Sequence, residues 1–206
     1  MGNLHSVAKA LEHSSDRLKV IVSSDRQQIL AADRVVLPGV GAIRDCLGEM
    51  RRLELIATII EVAQNKPFLG VCVGMQALMS ESEENGGTQA LNLFPGKVRR
   101  FSQPLQDARG TLLKVPHMGW NQVEQCDLQH PLWAGIANAS RFYFVHSYYV
   151  EPQQQSTIAA TATHGVTFAA AISRGNLFAT QFHPEKSQKA GLQLYRNFLQ
   201  WDGTLA

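Results

Sequence analysis

The first half of the chain alternates short apolar runs with stretches in which apolar residues recur at helical spacing. The apolar runs predict buried strands at residues 18–22, 34–37 and 67–71. The periodic stretches predict helices at residues 4–11 and 24–31, in pieces over 42–64, and from 74 to 79. Asn3 is the predicted N-cap of the first helix. Strands that alternate with helices are typical of a mostly parallel sheet covered by helices on both faces.

The pattern changes after residues 85–87 (Asn-Gly-Gly), where short β-like runs separated by turn residues take over. These runs cover residues 97–101, 112–115, 121–124, 141–150, 157–163 and 167–173, and they predict an additional antiparallel β segment. Residues 177–182 are expected to return to the main sheet, and a last helix is predicted over 187–201. The sequence therefore predicts an α/β fold formed by one domain over residues 1–206.

Composition excludes several classes of protein. The chain has 206 residues, of which 45% are hydrophobic and 17% charged, and a net charge of +2, so we expect a real core and no nucleic-acid partner. The beginning of the chain lacks the apolar segment of a signal peptide, and no apolar run approaches the length of a membrane helix. We expect a cytoplasmic protein.

The three cysteines are sparse, and no Cys-x-x-Cys pair occurs among them. This usage predicts neither a disulfide framework nor a structural zinc site. We expect no metal and no cofactor, and a reducing compartment in which a free thiol survives. Cys46 in a helical stretch and Cys126 in a polar turn are expected to carry no chemistry.

Cys72 lies in the string Gly70-Val71-Cys72-Val73-Gly74, where a predicted strand meets a predicted helix. The string is the cysteine analogue of G-x-S-x-G, in which small neighbours allow a sharp turn that exposes a nucleophile. The turn also places the sulfur near a helix N-terminus, where aligned amide groups favour a thiolate. A small buried cysteine between two glycines is the structural alternative.

A thiolate nucleophile needs a general base, and His183 is the best placed of the seven histidines. It follows a predicted strand, and Pro184 keeps it out of helical conformation. In an extended chain Glu185 points the same way as His183, so its carboxylate can orient the ring. The histidines at positions 5, 13, 130 and 164 are expected at the surface or in turns.

Thioester chemistry also needs two donors for an oxyanion. The backbone N–H of Val73 is the first candidate, because it follows the nucleophile. A second donor is expected from Val40 or Gly41 in the Gly-rich turn that follows the strand at 34–37. An ordinary β–α turn is the alternative for that segment.

These strings resemble the class I (triad) glutamine amidotransferases. The resemblance covers nearly the whole chain and implies a flavodoxin-like fold, with Cys72, His183 and Glu185 as the catalytic residues. Residues 116–121 (PHMGWN), 142–149 (FYFVHSYY) and 183–187 (HPEKS) are similar to the glutaminase subunits that serve histidine biosynthesis. Such a subunit hydrolyses glutamine and passes ammonia to a (β/α)8-barrel cyclase, its heterodimer partner, which makes imidazole glycerol phosphate and aminoimidazole carboxamide ribotide.

The resemblance also implies roles for individual residues. Glutamine would be held by Gln76, by Glu84 and by backbone groups of Gly39, Ser147 and Tyr148. Val40 or Gly41 would reorient to complete the oxyanion hole. The residues expected to lie toward the partner are Trp120, Asn121, Tyr143 and Lys186.

Two departures from the family bear on these expectations. The family usually begins with a strand before the helix that opens with Gly2, and the sequence given starts after that position. We therefore expect an exposed sheet edge and reduced stability, or a start codon assigned too late. Val73 replaces the more usual leucine, which should matter little for a backbone donor.

Three other functions stay open at this point. The chain could be the glutaminase subunit of an anthranilate or aminodeoxychorismate synthase, or a cysteine peptidase or hydrolase on a similar fold. It could also be a binding module that has kept the fold and lost the chemistry.

Overall fold

The computed structural model describes residues 4–15 and 18–204, and the predicted cap Asn3 lies outside them. Six α-helices lie in this part of the chain: α1 Leu4–Ser14, α2 Arg26–Ala31, α3 Ile43–Arg52, α4 Ile56–Asn65, α5 Val73–Ala77 and α6 Gln188–Gln200. The first strands are β1 Val35–Gly39, β2 Phe68–Cys72, β3 Met79–Ser82, β4 Thr88–Gln89 and β5 Phe94–Arg100. They are followed by β6 Leu105–Gln106, β7 Leu112–Leu113, β8 His117–Gln125, β9 Ser140–His146 and β10 Tyr148–Pro152. The last strands are β11 Ile158–His164, β12 Val166–Arg174 and β13 Leu177–Thr180.

Eleven of these strands form one mixed sheet with the order β1-β2-β13-β12-β10-β5-β3-β4. β11 pairs with β12 and β8, and β8 pairs with β9, while β6 and β7 form a separate ribbon. The pairs β1–β2, β2–β13 and β3–β5 are parallel. The predicted α/β class is confirmed, as are the antiparallel segment and the return of the chain to the main sheet at β13.

The strand predicted at residues 18–22 is wrong. This segment has no regular structure, and Ile21 and Val22 are 54% and 57% exposed. A β-prone sequence becomes a strand only where a neighbour accepts its hydrogen bonds, and β1, the end strand on this side, pairs only with β2 among the described residues. Only Val20 packs, in part, against the core.

The order of strands around β2 positions the functional site. β2 lies between β1 and β13 and is parallel to both, so the carboxyl ends of all three strands meet at one edge. Gly39 at the end of β1 lies opposite Cys72 at the end of β2, and Thr180 at the end of β13 lies opposite Val71. Residues that follow these strands therefore converge on Cys72, in agreement with the general rule for open α/β sheets. Among the described residues, no helix is both long and apolar enough to cross a membrane.

Candidate functional site

Cys72 adopts a strained backbone conformation at the junction of β2 and α5. Its φ and ψ are 55° and −110°. Residues other than glycine rarely adopt such backbone angles, and those that do are often found at active sites. The residue is 4% exposed. A Cβ on Gly74 would lie 1.9 Å from the Leu37 carbonyl oxygen, so only glycine allows the turn to pack against β1. The predicted sharp strand-to-helix turn is confirmed.

His183 and Glu185 form a buried pair in the turn that follows β13. The side chains are 2% and 0% exposed, and His183 Nδ1 lies 2.8 Å from Glu185 Oε1. Because a carboxylate oxygen accepts, Nδ1 carries the proton. The Tyr195 hydroxyl donates to Glu185 Oε2 at 3.3 Å. The predicted contact between His183 and Glu185 is confirmed, and it fixes the orientation of the ring.

The other nitrogen of the His183 ring, Nε2, is the one left free to serve the Cys72 sulfur. Nε2 is buried and has no hydrogen-bond partner among the described residues. Burial lowers the pKa of His183, while interactions with Cys72 and Glu185 outweigh burial and raise it to about 9. The site therefore favours an imidazolium beside the sulfur.

Gln181 also contacts the sulfur, although the sequence patterns did not indicate it. Its Nε2 donates to Cys72 Sγ at 3.7 Å, and its Oε1 accepts from Gln76 Nε2 at 3.1 Å. Gln181 is fully buried. The available signal was a polar residue inside the apolar run at 177–182, since a buried amide must find partners.

The loop at residues 40–42 begins directly beside Cys72. A Cβ on Gly39 would lie 2.8 Å from Val73 Cβ and 2.9 Å from the Gly74 nitrogen, so the backbones of the two turns nearly touch. Gly41 has a φ of +81°, which suits glycine. Val73 is the first residue of α5. The loop that holds Val40 and Gly41 therefore starts in contact with the turn that holds Val73, and the oxyanion roles of these residues stay a prediction.

Glu84 is bound to the residue that directly follows the same loop. Its Oε2 accepts from the Ile43 backbone N–H at 2.7 Å, so it caps the start of α3, immediately after residues 40–42. The residue is half-buried. Its expected role in holding glutamine is untested and stays a prediction.

The segment expected to bind glutamine through its backbone interrupts the regular structure between β9 and β10. The Ser147 carbonyl accepts from the Phe101 N–H at 3.1 Å. The Tyr148 carbonyl accepts from Gln76 Nε2 at 3.1 Å. Gln76 is therefore the bridge between this segment and Gln181 beside the sulfur.

Three of the four residues expected to face a partner cluster together. Trp120 packs edge-on to Tyr143 with ring centroids 6.1 Å apart, and Lys186 Nζ lies 5.6 Å from the Tyr143 ring centroid. The fourth, Asn121, points to the other side of β8, where its amide donates to the Thr163 carbonyl at 2.8 Å.

Among the remaining candidates, His130 ends a turn in which its N–H donates to the Asp127 carbonyl at 3.3 Å, one of its two predicted locations, but it does not lie at the surface. It is 2% exposed, where its Nδ1 accepts from the Leu132 N–H and its Nε2 lies 2.9 Å from Ser173 Oγ. An aromatic pocket that includes Phe178 and Trp201 surrounds it, and sequence spacing could not reveal that pocket.

The other two cysteines lie where the sequence placed them. Cys46 is buried, and burial raises the pKa of its thiol to about 11. Cys126 is exposed.

Known proteins resemble this chain over nearly its whole length. The family described as glutamine amidotransferase class-I matches residues 1–201. Imidazole glycerol phosphate synthase subunit HisH 1 of Pseudomonas aeruginosa is 59% identical over 203 residues, which are 98% of this chain and 94% of that protein. Subunit HisH of Methylococcus capsulatus is 56% identical over 202 residues, with 98% and 93% covered. The solved structure of the glutaminase domain of Trypanosoma brucei CTPS has a TM-score of 0.64 at 18% identity, covering 98% of this chain and 90% of that one; at this identity the likeness concerns the fold.

Proposed function

Because the chain belongs to the class I glutamine amidotransferase family, we propose that it is the glutaminase subunit of an imidazole glycerol phosphate synthase, acting in histidine biosynthesis. The observation that carries the chemistry is the convergence of three groups at one sheet edge. Cys72 ends β2 in a strained turn, and His183, held by Glu185, follows the neighbouring strand β13. The relatives named above support the choice of synthase.

In the first half of the reaction, the Cys72 sulfur forms a bond to the side-chain amide carbon of glutamine. The carbonyl oxygen takes up the negative charge, and the amides of Val73 and of the segment 40–41 stabilise it. His183 Nε2 gives its proton to the amide nitrogen as the C–N bond breaks, which releases ammonia and leaves a glutamyl thioester. Glu185 keeps the ring oriented and stabilises the imidazolium throughout.

In the second half, neutral His183 takes a proton from water, and the oxygen of that water attacks the thioester carbon. The C–S bond breaks, and glutamate leaves. The thiolate and the imidazolium are then restored, and the pKa of His183, raised to about 9, favours the imidazolium.

Ammonia released into water at neutral pH would be protonated and would lose its nucleophilicity, so we propose direct transfer to a partner. The partner expected for this subunit is a (β/α)8-barrel cyclase. The proposed docking face includes Met118 and Trp120, which project from the same side of β8 and are 64% and 39% exposed. Two large apolar side chains on a solvent-facing strand are typical of an interaction surface. A neighbouring groove of about 490 Å³ is lined by Met118, Leu112 and the ribbon β6–β7.

The proposed docking face has a short connection to the proposed base. Tyr143, whose ring packs against Trp120, accepts at its carbonyl from the His183 N–H at 2.9 Å. Its own N–H donates to Ser187 Oγ at 3.0 Å, and that hydroxyl donates to the His183 carbonyl at 2.6 Å. A partner that shifts β9 therefore acts directly on the backbone of His183.

The first prediction separates the glutaminase reaction from synthesis by the partner. Cys72→Ser replaces the thiol by a hydroxyl, which stays protonated near neutral pH and is a far weaker nucleophile. Glutamine-dependent formation of imidazole glycerol phosphate in the complex should therefore fall by at least about 10³-fold. Synthesis from added ammonium salts should stay within twofold of wild type. Cys126→Ser, the same change at an exposed thiol, is the matched control and should leave both rates unchanged.

Equal loss of the glutamine-dependent and ammonia-dependent rates in Cys72→Ser would contradict the glutaminase role.

The choice of partner is tested by the wild-type protein. Its glutaminase activity should rise on addition of the cyclase and not on addition of an anthranilate or aminodeoxychorismate synthase. Stimulation by one of those synthases alone would overturn the assignment.

A further inference from the structure

A continuous line of hydrogen bonds runs from the inner side of β8 to the Cys72 sulfur. We call it the histidine–glutamine chain. Its members are Asn121, His117, His146, the Tyr148 carbonyl, Gln76 and Gln181. The successive distances are 3.3 Å, 2.9 Å, 2.8 Å, 3.1 Å and 3.1 Å, with a last step of 3.7 Å to the sulfur.

The directions of these bonds follow by elimination. A carbonyl only accepts, so His146 Nδ1 carries a proton and donates to Tyr148. His146 Nε2 is then the acceptor of a neutral ring, and His117 Nδ1 must donate to it. His117 Nε2 is left as an acceptor for the Asn121 amide. Every bond therefore has one donor and one acceptor. From Asn121 to Tyr148, which is the first half of the histidine–glutamine chain, each donor points toward Tyr148.

Burial keeps both rings neutral, as these directions require. His117 and His146 are each 6% exposed and pack among Phe101, Phe144 and Phe168. Burial lowers the pKa of His117 to about 4 and that of His146 to about 3. Buried polar groups cost free energy unless each of them has a hydrogen-bond partner. In the histidine–glutamine chain, each group finds its partner in the next member.

The second half of the histidine–glutamine chain, from Tyr148 to Cys72, determines which end of the Gln181 amide faces the sulfur. Gln76 Nε2 donates both to the Tyr148 carbonyl and to Gln181 Oε1. With its oxygen held by Gln76, Gln181 must present its NH₂ group to Cys72. An N–H directed at sulfur favours the thiolate, whereas a rotated amide would place an oxygen there and disfavour it.

We propose that the histidine–glutamine chain is a positioning device that connects the arrangement of β8 with the reactivity of the Cys72 thiol. His146 and Gln76 both donate to the Tyr148 carbonyl, so the histidines hold in place the acceptor that positions Gln76 and, through Gln76, the Gln181 amide. His117, His146 and Gln181 are positioning residues in this proposal. It rests on the proposed function only in treating β8 as the strand that faces the partner. The link from His117 to the sulfur stands without it.

The test compares two rings of the same stack. His164 stacks on His117 with centroids 4.2 Å apart but bonds to the Lys114 carbonyl, outside the histidine–glutamine chain. His117→Phe keeps an aromatic ring and removes both nitrogens, and His164→Phe is the matched control. The measurement is the rate of Cys72 alkylation by iodoacetamide from pH 6 to 10 in the purified chain, followed on the Cys72 peptide by mass spectrometry.

We expect His117→Phe to slow alkylation at pH 7 about tenfold, the size of one hydrogen bond to a charged group, and to move the pH midpoint upward. His164→Phe should stay within twofold of wild type. His117→Asn, whose amide can still donate to His146, should restore most of the wild-type rate. Equal effects of the two phenylalanine variants would overturn the proposal, because they would indicate loss of packing alone.

A second variant tests the other end of the chain. Gln181→Met removes the donor at similar volume and should slow alkylation as much as His117→Phe does. The double variant should be no slower than either single one, because both act through one bond. An unchanged rate in Gln181→Met, or multiplying effects in the double variant, would contradict the proposal even where His117→Phe fails to fold. Alkylation needs neither glutamine nor a partner, so failure of the proposed function appears separately, as a wild-type protein that no cyclase stimulates.

Discussion

Glu185 is the most deeply placed charge of the candidate site, with a side chain that is 0% exposed. A carboxylate is brought out of water only at a considerable cost unless it is paired and hydrogen-bonded. Here the His183 ring and the Tyr195 hydroxyl both meet it. Its charge is one of the reasons that the pKa of His183 is raised to about 9.

Glu185→Gln tests this charge at almost unchanged shape. An amide oxygen can still accept from His183 Nδ1, but the imidazolium loses its counter-charge, so the pKa of His183 should fall from about 9. We expect kcat for glutamine hydrolysis to decrease by about 10²-fold or more, the usual contribution of an acid–base group. The alkaline limb of the pH profile should move to lower pH.

Tyr195→Phe is the control for that experiment. It removes the hydroxyl that donates to Glu185 Oε2 and leaves the bond to His183 in place. Its kcat should fall clearly less than that of Glu185→Gln, because the charge of Glu185 and its bond to His183 both remain, although a hydrogen bond to a carboxylate contributes about 1.5–3 kcal/mol. If Tyr195→Phe were as damaging as Glu185→Gln, general disruption of the pocket would account for both.

At this scale the sequence predicted the residues that stand in local strings. Cys72 is flanked by glycines, and His183 and Glu185 are two residues apart, so spacing alone could pair them. Gln181, His117 and His146 could not be found in this way. The contact of His117 with His146 spans 29 positions and that of Gln181 with Cys72 spans 109, and only the pairing of strands brings such residues together.

Among the elements, α6 and the turn at Pro184–Lys186 fit together at one glycine. A Cβ on Gly191 would lie 1.9 Å from the Pro184 carbonyl oxygen, so the helix approaches the backbone that carries His183. Contact this close ties the position of the His183 backbone to the position of α6.

Gly191→Ala should therefore force the turn and the helix apart. We expect destabilisation by about 1–3 kcal/mol, typical of overpacking, and a fall in glutaminase activity larger than the loss of folded protein explains. Gly48→Ala is the matched control, because Gly48 lies in α3 with open space around its Cα. It should be neutral or stabilising by up to about 1 kcal/mol. Urea unfolding and the glutaminase assay, run on both variants, decide the matter.

The helices and strands also show where the spacing of apolar residues stops predicting secondary structure. The pattern predicted the helices of the first half and the antiparallel runs of the second, because each depends on which local face is apolar. It failed at residues 18–22, where the sequence has strand character but the described chain offers no paired neighbour. A strand forms only when two segments pair, so the apolar pattern of one segment cannot show whether a partner is available.

Over the whole molecule, buried histidines set the pH range of stability. Burial lowers the pKa of His117, His130 and His146 from 6.5 to about 4, 4 and 3. Unfolding lets these rings take up protons as the pH falls below 6.5, so stability is lost between pH 6.5 and about 3. His183 acts in the opposite direction, because its pKa is raised to about 9. Its contribution is complete below pH 6.5 and is lost as the pH rises through 9.

The free energy of unfolding should thus be greatest near pH 7 and decrease on both sides. Thermal unfolding between pH 4 and 10 measures it. His130→Gln should flatten the acid limb, whereas His13→Gln, at an exposed position, should leave the shape of the curve unchanged. A curve that stays flat from pH 7 to 4 in the wild-type protein would contradict the role of the buried rings.

The hydrogen bond from the Ile43 N–H to Glu84 means that one carboxylate anchors the first turn of α3 before any substrate arrives. If Glu84 also holds glutamine, as the resemblance implies, and does so through the ammonium group, the incoming cation competes with the Ile43 N–H for the carboxylate and weakens a charge-assisted bond. Substrate entry would then loosen the segment that must supply an oxyanion donor. Amide hydrogen exchange at Ile43 should quicken with glutamine and stay unchanged with 4-carbamoylbutanoate, which has the same chain without the amino group.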